Sequence, residues 1–211
     1  MSIKTISHRG HWLALDEKNK TAAFHRSFSN QFGTETDIRD SHGILVISHD
    51  APTGGEMSFA EFLQLFVTYD ERLPLALNVK ADGLQDLVLE AFDQVHRPPN
   101  CFFFDMSIPD ALGYLRRGLP IYTRHSDVEP EPVLYDESVG VWLDSFGPDW
   151  VTEAVIERHL RSGKAVCLVS PELHGRDHRP LWEQMRGWPV CRDPGLTLCT
   201  DWPIKARGYF S

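Results

Sequence analysis

The stretch GTETDIRDSHGILVISHD, residues 33–50, contains two strand patterns separated by a short polar turn. TETDIR (34–39) is the first, and ILVISHD (44–50), with its four leading apolar residues, is the second. The segment Ser41-His42-Gly43 between them has the composition of a turn. The stretch therefore predicts two strands that pair locally.

Strand patterns and helical patterns alternate on both sides of this stretch. An apolar stripe between Leu84 and Val95 follows helical spacing, and Ser58 and Ser107 each begin a further helix as N-caps. Another helix is predicted over 151–161, closed by Gly163. The other strand candidates are ISHRG (6–10), LALNVK (75–80), CFFFDM (101–106), PIYTR (120–124), GVWLD (140–144), AVCLV (165–169) and LTLCT (196–200).

This alternation predicts βαβ units around a parallel sheet, because parallel strands need a crossover connection. The nine candidates fit a compact (β/α)₈ TIM barrel if the first two strands described above pair locally. Such barrels usually take about 250 residues, so 211 residues predict one domain, 1–211, with short loops. A doubly wound open sheet is the alternative, and the absence of a GxGxxG segment after any strand disfavours it.

Composition limits the classes of protein that the chain can represent. A net charge of -9 argues against a general nucleic-acid binder. No apolar run approaches the roughly 18 residues of a membrane span, and the start MSIKTISHRG does not resemble a secretory signal. The four cysteines lack metal-binding spacing, which predicts buried free thiols and a cytoplasmic protein.

Polar residues follow the predicted strands at their C-terminal ends, where a barrel carries its active site. Glu35 and Asp37 would share one face of a strand, because side chains alternate between faces. Two carboxylates in one cavity repel unless a cation lies between them, and oxygen ligands favour Mg²⁺ or Ca²⁺. The alternative is a solvated edge strand. The candidate residues at these ends are His8, Arg9, Glu35, Asp37, His49, Asn78, Lys80 and, as further candidates, Asp105, Arg124 and Asp144.

Two histidines close in space would serve as general acid and general base, since imidazole titrates near neutral pH. His8 and His49 end two of the predicted strands, although the chain has ten histidines and a lone one is usually structural or exposed. Arg9 and Lys80 would supply positive charge for a phosphate, although each alone also fits a surface ion pair.

Taken together, these segments resemble the glycerophosphodiester phosphodiesterase family. ISHRG resembles its HRG motif, and Asn19 with TAAF (21–24) resembles its ENT-x-AAF segment. Residues 33–50 resemble its stretch of G-x-x-x-E-x-D followed by a turn, a strand and HD. LNVK (77–80) stands where the family has E-x-K, and LCTDWP (198–203) resembles its final TD-x-P strand.

The resemblance implies a (β/α)₈ barrel and a metal-dependent phosphodiesterase. It assigns His8 and His49 to the catalytic pair and Glu35 and Asp37 to the metal. It also assigns Arg9 and Lys80 to phosphate binding, and it places Asn78 at the position of the third metal ligand.

Three features depart from the family pattern. Asn78 stands where the family has a metal carboxylate, Lys18 replaces a glutamate, and only APTGGEMS (51–58) follows the HD motif where a longer insertion is usual. If a further carboxylate restores the missing charge, Asp105 and Asp144 are the candidates.

The leading functional hypothesis is hydrolysis of a glycerophosphodiester to glycerol phosphate and an alcohol, with a small phosphodiester as the substrate. A second is phospholipase-type cleavage of a lipid head group by the same chemistry, as in phosphatidylinositol-type phospholipases or sphingomyelinase D. A third is a degenerate barrel that binds a phosphorylated ligand without turnover, which Asn78 and Lys18 favour.

Overall fold

The computed structural model describes residues 3–95, 97–147 and 150–211. The chain forms two compact units. The first unit comprises Ser7–Ile121, and the second comprises Tyr122–Ser211 together with the residues up to Ile6. Strand β1, Lys4–His8, therefore contributes residues to both units.

The first unit contains three further parallel strands and one antiparallel strand. Its elements are α1 (Thr21–Ser29), β2 (Gly33–Ser41), β3 (Ile44–Ile47), α2 (Phe59–Val67), β4 (Leu75–Val79), α3 (Gln85–Val95), β5 (Cys101–Phe104) and α4 (Ile108–Arg116). Strand β4 pairs in parallel with both β2 and β5. Strand β3 folds back antiparallel on β2, with Ser41 opposite Ile44, so the predicted local pairing is confirmed.

Two of its helices begin where the sequence predicts. The Ser58 hydroxyl accepts a hydrogen bond from the Glu61 N–H, and the Glu61 carboxylate accepts one from the Ser58 N–H. This reciprocal cap satisfies two backbone donors at the start of α2. Ser107 caps α4 through the Asp110 N–H. Aromatic rings then hold α1 against α2, with the Phe24 and Phe62 centroids 4.7 Å apart.

The second unit repeats the alternation with short elements. They are β6 (Tyr122–His125), β7 (Gly140–Leu143), α5 (Glu153–Arg161), β8 (Ala165–Val169), α6 (Arg179–Met185), β9 (Leu196–Thr200) and α7 (Pro203–Tyr209). Strands β6, β7, β8 and β9 pair in parallel in that order. Helix α5 begins two residues later than predicted, because Thr152 has an extended backbone. Residues 126–139 connect β6 to β7 without an α-helix.

The fold class is a (β/α)₈ barrel, as predicted, with eight parallel strands and β3 as an addition to β2. All four cysteines are buried free thiols, which confirms that prediction. In the described part of the chain, no helix is both long enough and apolar enough to cross a membrane.

Candidate active site

A sharp turn after β1 presents His8 and Arg9. Arg9 and Gly10 both have positive φ, 58° and 82°. A Cβ on Gly10 would lie 2.7 Å from the Ala23 Cβ, so only glycine fits where the turn meets α1. The Gly10 N–H donates to the Thr34 hydroxyl at 3.0 Å, which ties the turn to β2. The close contact with Ala23 therefore explains why the HRG segment ends in glycine.

Two buried carboxylates project from β2 beside an amide from β4. Glu35 and Asp37 are both buried, and Asp37 has no exposed surface at all. In the parallel register, Asp37 lies directly opposite Asn78, which is also buried. The hydroxyl of the neighbouring residue Thr36 donates to Asn19 Oδ1 at 2.9 Å, so the Asn19 side chain joins Thr36 to Asp37.

Asp37 is the centre of a cluster of positive and polar groups. The Arg9 Nε lies 2.9 Å from its Oδ2, and the Lys80 Nζ lies 3.4 Å from its Oδ1. The Asn19 amide donates to Oδ2 at 2.8 Å. Asn19 itself has a φ of 60°, and its backbone N–H donates to the carbonyl of Arg9. Burial of this carboxylate is thus offset by two cations.

Glu35 is held differently. Burial, and secondly the negative charge of Asp37, raise the pKa of Glu35 to about 8. Arg9 and Lys80 act in the opposite direction, as does a hydrogen bond from the Asn78 side chain. A carboxyl group in this state takes a proton or a cation near neutral pH.

Two oxygens of this cluster are buried and accept no hydrogen bond: Asn78 Oδ1, and Asp37 Oδ1, which has the ion-pair contact with Lys80 described above. Buried acceptors are normally satisfied, so each such atom calls for a ligand or a physical reason. With Glu35 they form an all-oxygen set of the kind that Mg²⁺ and Ca²⁺ bind. Among the residues the structure describes, no group of three His, Cys, Asp or Glu side chains is placed to hold a metal. The set fits a divalent cation only if Asn78 is the third ligand.

Each candidate histidine lies beside a carboxylate. The His8 Nε2 is 3.9 Å from Glu35 Oε2, and 12% of the His8 side chain is exposed. The His49 Nδ1 is 2.8 Å from Asp50 Oδ1, and 43% of the His49 side chain is exposed. A ring held through Nδ1 leaves its Nε2 for proton transfer.

Of the three further candidates, Asp105 belongs to the first unit, and Arg124 and Asp144 belong to the second. Asp105 follows β5, is exposed and has a φ of 67°. Arg124 and Asp144 belong to the second unit, where Arg124 NH1 lies 3.1 Å from Asp144 Oδ2. The other oxygen, Asp144 Oδ1, accepts from the His174 ring at 2.7 Å and from the Ser145 N–H. Both oxygens of Asp144 are therefore occupied within its own unit.

Sequence reasoning did not single out Asn19 or His174 as site residues. Asn19 was visible only as part of the segment before TAAF, and its contact with Asp37 depends on a left-handed backbone that the sequence does not specify. His174 lies in a short 3₁₀ turn, Pro171–His174, that carries no strand or helix pattern. The Nζ of Lys18, the residue that replaces the family's glutamate, lies 4.5 Å from the centroid of the Trp12 ring.

The fold is a (β/α)₈ barrel, and its first unit holds a buried carboxylate between two cations. No family model matches the chain, and no curated protein matches it in sequence. Solved structures do resemble it. Glycerophosphodiester phosphodiesterases are among them. The one from Agrobacterium tumefaciens has a TM-score of 0.71 and 16% identity, over 99% of this chain and 99% of that one.

The second, from Parabacteroides distasonis, has a TM-score of 0.69 and 12% identity, over 99% of this chain and 86% of that one. A Ca²⁺-dependent phosphatidylinositol-specific phospholipase C from Streptomyces antibioticus has a TM-score of 0.57 and 10% identity, over 100% of this chain and 96% of that one. At these identities the likeness establishes a shared fold. The chain thus resembles glycerophosphodiester phosphodiesterases at the level of the fold.

Proposed function

We propose that the chain hydrolyses a phosphodiester, preferentially a glycerophosphodiester, to glycerol phosphate and an alcohol. The observation that carries the proposal is the cluster around Asp37, in which two cations lie beside a buried carboxylate and the buried Asn78 oxygen accepts no hydrogen bond. The fold-level likeness to two phosphodiesterases of this class supports it.

In this proposal His8 and His49 exchange protons with the reacting groups. One imidazole takes the proton of the attacking water as its oxygen bonds to phosphorus. The other donates a proton to the alkoxide as the phosphorus–oxygen bond to the alcohol breaks. Asp50 Oδ1, at 2.8 Å from the His49 Nδ1, orients that ring. The Glu35 Oε2 lies 3.9 Å from the His8 Nε2.

Arg9 and Lys80 bind the phosphate in this scheme. Both side chains are about four-fifths buried and lie beside Asp37. Burial reduces the screening of their charges by water. Fixed positive charge in a site that excludes water stabilises the charge that develops on phosphoryl oxygens.

Glu35, Asp37 and Asn78 would hold one divalent cation, Mg²⁺ or Ca²⁺. When bound, such an ion acts as a Lewis acid on a phosphoryl oxygen. The chain's own contribution is an oxygen set with two carboxylates and one amide. This set is weaker in charge than three carboxylates, and Arg9 and Lys80 reduce its net charge further.

The test is a panel of glycerophosphodiesters assayed with Mg²⁺, Mn²⁺ and Ca²⁺ and with chelator. We expect turnover that chelation abolishes and added metal restores. The metal should also raise the thermal midpoint of the wild type, because a ligand that binds only the folded state stabilises it.

Asp37→Asn should lose both responses. The matched control is Asp86→Asn, since Asp86 is an exposed carboxylate paired with Arg117 at 2.8 Å. Full turnover in excess chelator would exclude the metal-dependent mechanism. Metal-dependent stabilisation without turnover of any diester would instead identify a binding protein, the degenerate barrel of the third hypothesis.

A further inference from the structure

The second unit contains a cavity of about 430 Å³ that the proposed chemistry does not use. Met185 and Arg186 line it where α6 ends, and Tyr209 and Phe210 line it where α7 ends. Ile3 lines it from just before β1. The volume lies within the range of small-molecule pockets, roughly 300–1,000 Å³. None of the candidate catalytic or metal-binding residues lines this cavity, so its occupant is a separate question.

The cavity is positively charged, although the chain as a whole is acidic. Arg186 and Arg192 line it, and no described Asp or Glu side chain does. The whole chain, in contrast, has 30 acidic residues against 21 basic ones. A cleft lined by charges of one sign concentrates ions of the opposite sign. The cavity therefore favours an anion.

The two arginines are available to such an anion. Within the described ranges, neither the Arg186 nor the Arg192 side chain forms an ion pair or donates a hydrogen bond. The guanidinium carbon of Arg186 lies 5.2 Å from the centroid of the Tyr209 ring. Stacking on a ring orients a guanidinium group while its N–H groups stay at the edge of the plane. Arg186 is thus held by an aromatic ring and keeps its donors for a ligand.

Aromatic rings form another part of the cavity wall, and a buried tryptophan holds two of them in place. The aromatic residues of the lining are Trp188, Tyr209 and Phe210. The ring centroids of Tyr209 and Phe210 each lie 5.5 Å from that of the buried Trp182. The two rings also meet each other edge to face, with their centroids 5.2 Å apart. Because this packing fixes the rings before a ligand binds, the wall favours a planar aromatic group.

We propose that this cavity binds an aromatic phosphate monoester, such as a nucleoside monophosphate. A phosphate monoester has a charge of about −1.5 to −2 at pH 7, which two guanidinium groups match better than they match a singly charged carboxylate. The forked donors of arginine also suit phosphate oxygens. The base would stack on the aromatic rings of the wall. This site is independent of the proposed function, because the candidate active site belongs to the first unit.

Titration calorimetry with AMP in excess chelator tests the site without requiring turnover. We expect the wild type to bind AMP at one saturable site. Adenosine lacks the anion and ribose 5-phosphate lacks the aromatic ring, so each should bind at least about tenfold more weakly than AMP.

Two variants assign the binding to this cavity. Arg186→Gln and Arg192→Gln should each weaken AMP binding about tenfold, because each removes one of the two charges. The matched control is Arg161→Gln, since Arg161 is an exposed arginine of the same unit that pairs with Glu157 at 2.7 Å and does not line the cavity. This control should bind AMP as the wild type does. Thermal unfolding verifies that all three variants fold.

Failure of the folded wild type to bind AMP would overturn the inference, as would unchanged affinity in both cavity variants. Ribose 5-phosphate that binds as tightly as AMP would also overturn it, because the aromatic wall would then contribute nothing. Lys80→Gln distinguishes the cavity from the candidate active site. If Lys80→Gln loses AMP binding while Arg186→Gln and Arg192→Gln retain it, AMP occupies the candidate active site and the inference is wrong.

Discussion

Two pairs of histidines distinguish the two units of this chain. In the first unit, His8 and His49 each lie beside a carboxylate and retain exposed surface. In the second unit, His125 and His159 are buried and contact each other, with Nδ1 of one 2.9 Å from Nε2 of the other. The first arrangement leaves each ring partly accessible to solvent. The second disfavours protonation and closes the ring off.

A tyrosine hydroxyl is also hydrogen-bonded to this buried pair of histidines. The Tyr135 hydroxyl lies 2.9 Å from the His159 Nδ1, so both nitrogens of His159 are occupied. Burial, and then the charges of His125 and Arg158, lower the pKa of His159 to about 4. An imidazole that stays neutral and fully bonded has a structural role. The difference teaches that the surroundings of a histidine, rather than its presence, decide whether it is suited to proton transfer.

The largest effect that sharpens this comparison is on catalysis. His8→Ala and His49→Ala should each lower kcat by roughly 10²–10⁴-fold, the usual contribution of a positioned acid or base. The double variant should lose much less than the product of the two single losses, because the pair acts as a unit. Steady-state kinetics on a glycerophosphodiester measures both effects.

The control must be a histidine that is neither buried nor bonded like His159. His42 is suitable, because it is exposed in the turn between β2 and β3. His42→Ala should keep the wild-type kcat. If His42→Ala and His8→Ala reduce kcat equally, the assignment of His8 is wrong.

The fold was largely predictable from the sequence, because its signals are local. The turn at Ser41-His42-Gly43, the Ser58 cap and the apolar runs of β8 and β9 each specify an element without reference to distant residues. Strand β1 was predicted over 6–10 but ends at His8, since Arg9 and Gly10 have positive φ.

The candidate site was less predictable, because its decisive features depend on contacts between distant segments. Alternation along β2 places Glu35 and Asp37 on one face, but it does not say that Arg9, Lys80 and Asn19 all converge on Asp37. Nor does the sequence distinguish an occupied carboxylate, such as Asp144, from one with an unsatisfied oxygen. That distinction requires the positions of donors that are far away in the chain.

The buried histidine His159 should make the stability of the protein depend on pH. His159 stays neutral in the folded state down to about pH 4, whereas in the unfolded state it takes a proton below about pH 6.5. The unfolded state therefore binds more protons in this window, and the free energy of unfolding falls as pH falls from 6.5 to 4. The contribution is on the order of 3 kcal/mol.

Denaturant unfolding between pH 4 and pH 7 measures this contribution. His159→Gln should reduce the slope with pH, although it also lowers stability at neutral pH by disturbing the bonds to His125 and Tyr135. His42→Gln, at an exposed site, should keep the wild-type slope. An unchanged slope in His159→Gln would show that another group is responsible for the acid sensitivity.

The smallest expected effect concerns the cluster around Asp37 and its affinity for a cation. In the second unit, by comparison, both oxygens of Asp144 already have partners. Asn78 lies opposite Asp37 and is hydrogen-bonded to Glu35, and its own oxygen has no hydrogen-bond partner. Because affinity for a hard cation rises with the charge of its ligands, Asn78→Glu should bind Mg²⁺ or Ca²⁺ about tenfold more tightly. Without metal, the same variant should be less stable than the wild type, since three carboxylates then repel one another.

Titration calorimetry measures the metal affinity, and thermal unfolding with and without metal measures the stability. Asn78→Gln is the matched control, because it lengthens the side chain without adding charge. A gain in affinity for the glutamate variant alone assigns the effect to charge, and it makes Asn78 the residue that keeps the wild-type site weak. If the wild type already binds metal as tightly as Asn78→Glu, another carboxylate supplies the missing charge. Asp105→Asn and Asp144→Asn, made separately, would then identify it. Asp105 is the stronger candidate of the two, because both oxygens of Asp144 already have partners in its own unit.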